Sequence, residues 1–337
     1  MKTFSLPRGV EAEAPPTARD GVRLMVAHAG GIEHSRFARL GDFLSAGDLV
    51  VVNTSATLAA AVDGTREDGR AVTVHFATAL DDGSWVVEVR PPRADATGPV
   101  DDVRAGEAVR LPDGVRLLLM SPHPQGQRRL WQALVGVEGG VVAYLARHGR
   151  PIRYAYVPTA VPLAEYQTVF AREPGSAEMP SAGRPFTTEL VTDLVTRGIG
   201  IAPITLHTGV SSQDVGEPPQ PERYRVPETT ARAVNLTRAW GGRVVAVGTT
   251  VTRALESAVD GEGVVRGRAG WTDLVLGPER PAQVVTGLVT GWHAPGASHL
   301  NLLEAVAGAD VVERAYDEAV RARYLWHEFG DSCLLLP

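Results

Sequence analysis

The hydrophobic pattern of this chain changes period twice. From Val22 to Ala27 the run VRLMVA reads as a strand. His34 to Leu44 (HSRFARLGDFL) carries apolar positions at helical spacing and predicts a short amphipathic helix. Gly47 to Ser55 (GDLVVVNTS) predicts a buried strand. Between about 60 and 150 the runs alternate: AVTVHFATAL, SWVVEVRPP, EAVRLPDGVRLLLM and RRLWQALVG. Asp82-Gly83 and Asp113-Gly114 fall between apolar runs, and Asp-Gly suits the positive φ angles of tight hairpins. Short strands at regular spacing predict a small antiparallel barrel or sandwich. Val141 to His148, followed by Gly149, predicts a helix leading back out.

Beyond residue 187 helix and strand alternate. Helices are expected at Thr188 to Arg197, Thr229 to Trp240, Thr250 to Val259, Ser298 to Ala307 and Asp310 to Tyr324. Strands are expected at Ile199 to His207, Arg243 to Gly248, Thr272 to Leu276, Gln283 to Thr290 and 333 to 336. This alternation predicts an α/β sheet with helices on its faces. The expected architecture is a discontinuous α/β domain with a mixed sheet, residues 1–59 and 151–337. An antiparallel β-barrel domain is inserted at 60–150.

Composition narrows the function classes. At 337 residues and 44% hydrophobic, the chain is long enough for two domains with real cores. Its single cysteine, Cys333, excludes an internal disulfide framework and fits a reducing, cytoplasmic setting. The N-terminus has no apolar signal region, and no run suits a membrane helix. A net charge of -6 gives no global attraction to nucleic acid, so an RNA partner would need a local basic patch. Arg128, Arg129, Arg150 and Arg153 are the candidates. GxGxxG after a strand, a Walker loop, a nucleophile elbow and metal-ligand spacing are all missing. A dehydrogenase, NTPase, hydrolase or zinc enzyme is therefore disfavoured, and no metal is expected.

Candidate chemistry gathers in a few loops. Glu165 to Thr187 (EYQTVFAREPGSAEMPSAGRPFT) is polar and punctuated by Gly and Pro. Thr187 has the position of an N-cap for the next helix. Long loops of this kind in compact domains tend to be functional. In open α/β sheets ligands bind beyond the carboxyl ends of strands. Gly248-Thr249-Thr250, His293 in GWHAPGAS and His207-Thr208-Gly209 all have that address. The first suits an anion at a helix N-terminus, or simply a helix cap. The two histidines suit acid–base work near neutrality, or single backbone hydrogen bonds. Glu222 falls in a loop before a helix, where a carboxylate ordinarily faces water. Arg172-Glu173 could be an internal ion pair, and Asp331 a turn residue.

The wording of these loops resembles the S-adenosylmethionine:tRNA ribosyltransferase-isomerase family of queuosine biosynthesis. YQTVFAREPGSAEMPSAGRPFT is similar to that family's YQTVYAR-PGS-AAPTAGLHFT, and RVVAVGTTVTRALES to its VIAVGTTSVRTLES. GDLVVVNTSATLAAAV, TDLVLGP, GWHAPGASHLNLLEAVAG and AYDEAVRARYLWHEFGDSCLLL match further blocks in order, so the chain looks like a divergent member. The resemblance implies an α/β domain carrying an inserted barrel. It also implies a monomeric cytoplasmic enzyme using S-adenosylmethionine as a ribosyl donor, with no metal.

The acceptor it implies is a 7-aminomethyl-7-deazaguanine in tRNA; the product would be epoxyqueuosine, with adenine and methionine released. Carried over residue by residue, it nominates Glu173, His207, Glu222 and His293 as the acid–base set. Tyr166, Gln167, Arg172, Gly248, Thr249 and Thr250 are its donor-binding set. The departures cluster in the same loops. The family's NDTR reads Asn53-Thr54-Ser55-Ala56, a family His stands as Pro185, and LHVG-GTF runs Leu206 to Ser212 with hydroxyls at its end. Gly291 replaces an Asn, and the pattern around Glu222 has lost two histidines. These changes leave two alternatives: a paralogue serving a different, small-molecule acceptor, and a non-catalytic binding protein.

Overall fold

A computed structural model describes residues 4–92, 99–210 and 220–337 of the chain. Its centre is a nine-stranded mixed sheet. Four adjacent strands, Gly200–Leu206, Leu49–Asn53, Val244–Val247 and Gly287–Thr290, run parallel. Glu222–Val226 and Arg268–Thr272 extend one edge antiparallel, and Ser332–Leu335, Arg23–His28 and Gly31–Arg36 extend the other. Leu49 to Asn53 is buried throughout because both faces of its strand are covered. Leu49 and Val51 point into a core with Val251, Leu255 and Leu303. Val50 and Val52 point the other way, against Phe186, Leu190 and Leu194. The side-chain period of two thus feeds two helical layers from one strand.

Six antiparallel strands between Ala61 and Val135 close into a barrel. Both Asp-Gly turns lie where expected, joining Ala71–Ala79 to Trp85–Arg90 and Ala108–Arg110 to Arg116–Pro122. Asp113 and Gly114 both take positive φ, the conformation such a turn demands. The helix Val141–His148 follows, and Arg150 pairs back onto Ala61 where the barrel begins.

Several expectations are corrected. His34 to Leu44 is not an α-helix: Gly31–Arg36 is an edge strand, and Phe37–Phe43 is a 3₁₀ turn. His34 faces Met25 across the ladder and bonds the Tyr324 hydroxyl (2.8 Å), while Phe37 and Leu40 reach the core three residues apart. Glu222 opens a strand instead of sitting in a loop. The strand expected at Thr272 to Leu276 lies instead at Arg268–Thr272. Arg253 captures the carbonyls of Thr272 and Leu274 (both 3.1 Å), which ends the ladder there. Glu165 to Thr187, read as irregular, contains a short strand, Glu173–Ser176, parallel to Ser55–Thr57. Thr187 does cap the next helix, its hydroxyl accepting from the Leu190 amide at 3.1 Å. Ser211 and Ser212 lie outside the described residues.

The strand expected from Gln283 is shortened to Gly287–Thr290 for a visible reason. The buried Glu256 carboxylate accepts from the amides of Gln283, Val284 and Val285 at 2.9, 2.9 and 3.0 Å. A side chain therefore satisfies donors that a neighbouring strand would otherwise take. Removing it leaves the buried amides of Val284 and Val285, and the part-buried amide of Gln283, without acceptors. Glu256→Ala is expected to lower stability by roughly 3 kcal/mol or more. Urea unfolding followed by circular dichroism checks this, and a loss under about 1 kcal/mol would contradict the assignment.

Candidate functional site

The four parallel strands end at one mouth. Asn53 ends the central strand there, and its amide ties that end together. Its oxygen accepts from Ser55 N and Leu206 N (both 3.0 Å), and its nitrogen donates to Leu206 O (2.8 Å) and towards Thr250 Oγ1 (3.4 Å). Over this mouth lies a cavity of about 500 Å³, inside the usual range for small-molecule sites, roughly 300–1,000 Å³. Thr208-Gly209, Gly248 to Thr250 and Thr290 to His293 line it, each segment at or just beyond the carboxyl end of a parallel strand.

Gly248 precedes the helix Thr249–Ser257 with φ +94° and no side-chain cap. A Cβ there would lie 3.3 Å from Ala182, in a backbone conformation that favours glycine. The first amides of that helix therefore open toward the cavity, an arrangement suited to an anion. His293 sits opposite on the loop after Thr290. Its Nε2 is 3.1 Å from Thr290 Oγ1, its backbone amide donates to Tyr316 (3.2 Å), and its ring stacks on His299 at 4.5 Å. Burial pushes its imidazole well below the usual range, and the His299 and His327 rings add to the shift. That shift favours the neutral imidazole.

Glu222 lies at the cavity wall, ion-paired to Arg253. Burial pushes its carboxyl up, and the guanidinium opposes that shift. Tyr166 also lines the cavity; its hydroxyl is buried and has no hydrogen-bond partner among the described residues. Burial, helped by the Glu328 charge, pushes it up to about 12.

The remaining nominated residues are placed elsewhere. Gln167 braces the backbone: its Oε1 accepts from Thr57 N (3.0 Å) and its Nε2 donates to Thr57 O (2.8 Å). Arg172 is exposed and does not line the cavity. Glu173 pairs with Arg225 and accepts from Thr205 Oγ1 (3.1 Å), so its ion pair is not with Arg172. His207 packs against Gly175, where a Cβ would sit 2.4 Å from its ring, and it bonds Ser55 Oγ at 2.7 Å. Ser55 in turn meets Ser176 Oγ at 2.6 Å. This hydroxyl relay occupies the segment where the resemblance leads one to expect charged Asp and Arg. Asp331 is no mere turn residue: it accepts from Arg23 N (2.7 Å) and Leu325 N (2.8 Å) and pairs with the Arg23 guanidinium.

Three of the four arginines nominated as a basic patch are engaged. Arg129 faces the buried Glu88 (3.3 Å), Arg150 grips Asp63 (2.7 and 2.8 Å), and Arg153 donates to the Val157 carbonyl (3.0 Å). Residues the sequence reading did not single out line the cavity instead: Tyr154, Tyr156, Glu178, His327 and Glu328. The two tyrosines of RYAYVP carried no periodic signal, since a turn closed by Val157 N donating to Tyr154 O (3.0 Å) sets Tyr154 and Tyr156 beside each other. His327 and Glu328 carried none.

Comparison with known proteins agrees with this architecture. The queuosine biosynthesis protein family model matches residues 2–335. A relative from Symbiobacterium thermophilum, named S-adenosylmethionine:tRNA ribosyltransferase-isomerase, is 38% identical over 99% of this chain and 98% of its own. One of the same name from Moorella thermoacetica is 36% identical over the same shares. A crystal structure of an S-adenosylmethionine tRNA ribosyltransferase from Thermotoga maritima superposes with a TM-score of 0.55 at 28% identity, covering 99% of both chains. The chain belongs to the queuosine biosynthesis protein family and is an enzyme of its transferase-isomerase kind.

Proposed function

We propose that this enzyme transfers and isomerises the ribosyl group of S-adenosylmethionine onto the aminomethyl group of a 7-deazaguanine in tRNA, giving epoxyqueuosine, adenine and methionine. The observation that carries the reading is the convergence of an open helix N-terminus, a neutral histidine and a buried carboxylate on one cavity. Relatives of nearly the same length are named S-adenosylmethionine:tRNA ribosyltransferase-isomerase, which supports the transferase-isomerase part of this reading. The chemistry needs an anion clamp for methionine's carboxylate, a base for the acidic C5′ proton beside the sulfonium, and an acid for departing adenine. The amides after Gly248, with the Thr249 and Thr250 hydroxyls, supply the clamp. His293 supplies the base, since only a neutral imidazole can accept a proton. Glu222, its carboxyl pushed up by burial, is the acid candidate.

One observation favours a second reading, in which the acceptor is not tRNA. Arg129, Arg150 and Arg153 are spent on carboxylates or carbonyls of the chain itself, which weakens the case for that patch as a phosphate track. Titrating the protein with S-adenosylmethionine and following adenine release with and without deazaguanine-bearing tRNA separates the readings. Release that depends on that tRNA supports the first, and release with another acceptor the second.

Gly248→Ala is expected to weaken S-adenosylmethionine binding by about tenfold or more, because the methyl group strains the turn that opens the helix amides. Calorimetric titration reads this, and unchanged affinity would remove the helix N-terminus from the donor site. His293→Ala is expected to lower turnover by at least about tenfold. The wild-type acid limb of kcat/KM should fall below about pH 6.5, since the depressed imidazole stays neutral until the pH drops well under the free-histidine value. The rate rises with pH through that limb and is level by neutrality. A limb of the same position and size in His293→Ala would exclude His293 as the base.

A further inference from the structure

One wall of the cavity is aromatic. Tyr154 stacks on Tyr156 with ring centroids 5.7 Å apart and planes 20° apart, and Tyr156 stacks on His327 at 4.0 Å and 11°. The three rings form a ladder, and all of them line the cavity. Acidic groups mark their edges. The Tyr154 hydroxyl donates to Glu178, and the Tyr156 hydroxyl donates to Glu328 Oε2 at 2.5 Å. Tyr166 stands beside this edge: its ring packs on Phe329 (5.2 Å), and its buried hydroxyl lacks a partner among the described residues. Tyr154 and His327 cover the two faces of Tyr156, so a planar base stacks on an outer ring of the ladder, with Tyr156 holding that ring in place. Carboxylates at its rim suit a cation. A buried, unpartnered hydroxyl signals that a ligand group completes the site.

We infer that the Tyr154–Tyr156–His327 ladder seats the planar heterocyclic base of the acceptor, and that Glu328, with the Tyr166 hydroxyl beside it, holds that base's alkylamine. The identity of the acceptor rests on the function proposed above; the seat itself rests on the ladder. Adenine of the donor fits the rim less well, because its edge is neutral and offers no full charge to two carboxylates. The alkylamine arrives as an ammonium. Glu328 takes one N–H proton and becomes a carboxylic acid; the N–H bonding pair stays on nitrogen as the lone pair that forms the new N–C bond to the ribosyl carbon, whose bond to adenine breaks with its electron pair leaving on adenine, which takes up a proton from the acid. Burial pushes the Glu328 carboxyl up, which makes it a stronger proton acceptor than an ordinary glutamate.

The test uses the full chain and two separate titrations, one with S-adenosylmethionine and one with free 7-aminomethyl-7-deazaguanine. Tyr156→Leu is expected to weaken the free base by about tenfold or more, while Tyr156→Phe, which keeps the ring, costs about threefold or less. Glu328→Gln is expected to weaken the aminomethyl base by about tenfold, yet leave the 7-methyl analogue without an amine unchanged. S-adenosylmethionine affinity should stay within about twofold in every variant, which also reports that each has folded. Equal losses for donor and base in Tyr156→Leu would assign the ladder to adenine and overturn the inference. So would wild-type protein that binds no free base, or variants that bind it normally. If the base binds as expected but no adenine is released with deazaguanine-bearing tRNA, the seat stands and the proposed reaction fails.

Discussion

The site depends on one side chain amide. Asn53 ends the central parallel strand at the point where the chain leaves the sheet for the barrel, and it is buried. Its two polar atoms meet Ser55, Leu206 and Thr250 at once. Those partners belong to the barrel-bound segment, the neighbouring strand and the first turn of the helix that faces the cavity. A hydrophobic residue of similar size would pack there, but it would leave the amides of Ser55 and Leu206 without an acceptor. Each unmet buried donor costs about 1–3 kcal/mol. The mouth of the sheet and the N-terminus of Thr249–Ser257 are therefore held in fixed relation by hydrogen bonds, with packing doing the rest. Asp48 does the equivalent work at the opposite end of the same strand, where it accepts from the Arg243 backbone amide (2.9 Å) and pairs with the Arg243 guanidinium.

The segment from Glu165 to Thr187 then closes the cavity from one side. Its polar residues divide by role. Gln167 and Thr57 exchange hydrogen bonds as two strands would, the Thr57 hydroxyl takes the Tyr166 carbonyl (2.7 Å), and the buried Arg184 pairs with Glu165. These contacts fix the loop so that Tyr166, Glu178 and Ser181 can face inward. Side chains that look like a binding motif in the sequence are thus split between brace and lining. The brace residues are as specific in their chemistry as ligand contacts would be, and residue type alone does not distinguish the two.

That division sets what the sequence could reveal. Both Asp-Gly hairpins, the barrel strands and the alternating helices and strands were legible, because period and turn chemistry are local properties. The cavity address of Gly248 to Thr250 and of His293 was legible too, since parallel strands put the loops at their carboxyl ends together. What was not legible depended on distant partners. Glu222 reads as a solvated carboxylate until Arg253 is brought against it from a helix thirty-one positions away. Gln283 to Val285 read as strand until Glu256 takes their amides. His207 and Glu173 sit at the right strand end and in the right loop, yet Ser55, Ser176, Thr205 and Arg225 engage them outside the cavity. Only the three-dimensional neighbours of those residues say so.

The electrostatics of the cavity follow one rule. Burial moves its ionisable groups toward their neutral forms, His293 downward and Glu222, Glu328 and Tyr166 upward. Arg253, bonded to two carbonyls and to Glu222, is a fixed positive charge in that wall. A cavity of this kind stabilises a ligand's charges poorly unless a built partner meets each one, because opposite charges interact more strongly and bare ones are desolvated at higher cost than in water. A carboxylate would meet the helix amides and a cationic amine the Glu328 rim. A sulfonium's charge would be relieved once a proton leaves the adjacent carbon and a neutral ylide forms. A neutral imidazole at His293 is the form of that side chain able to accept such a proton, and the same burial that suppresses its charge keeps it in that form.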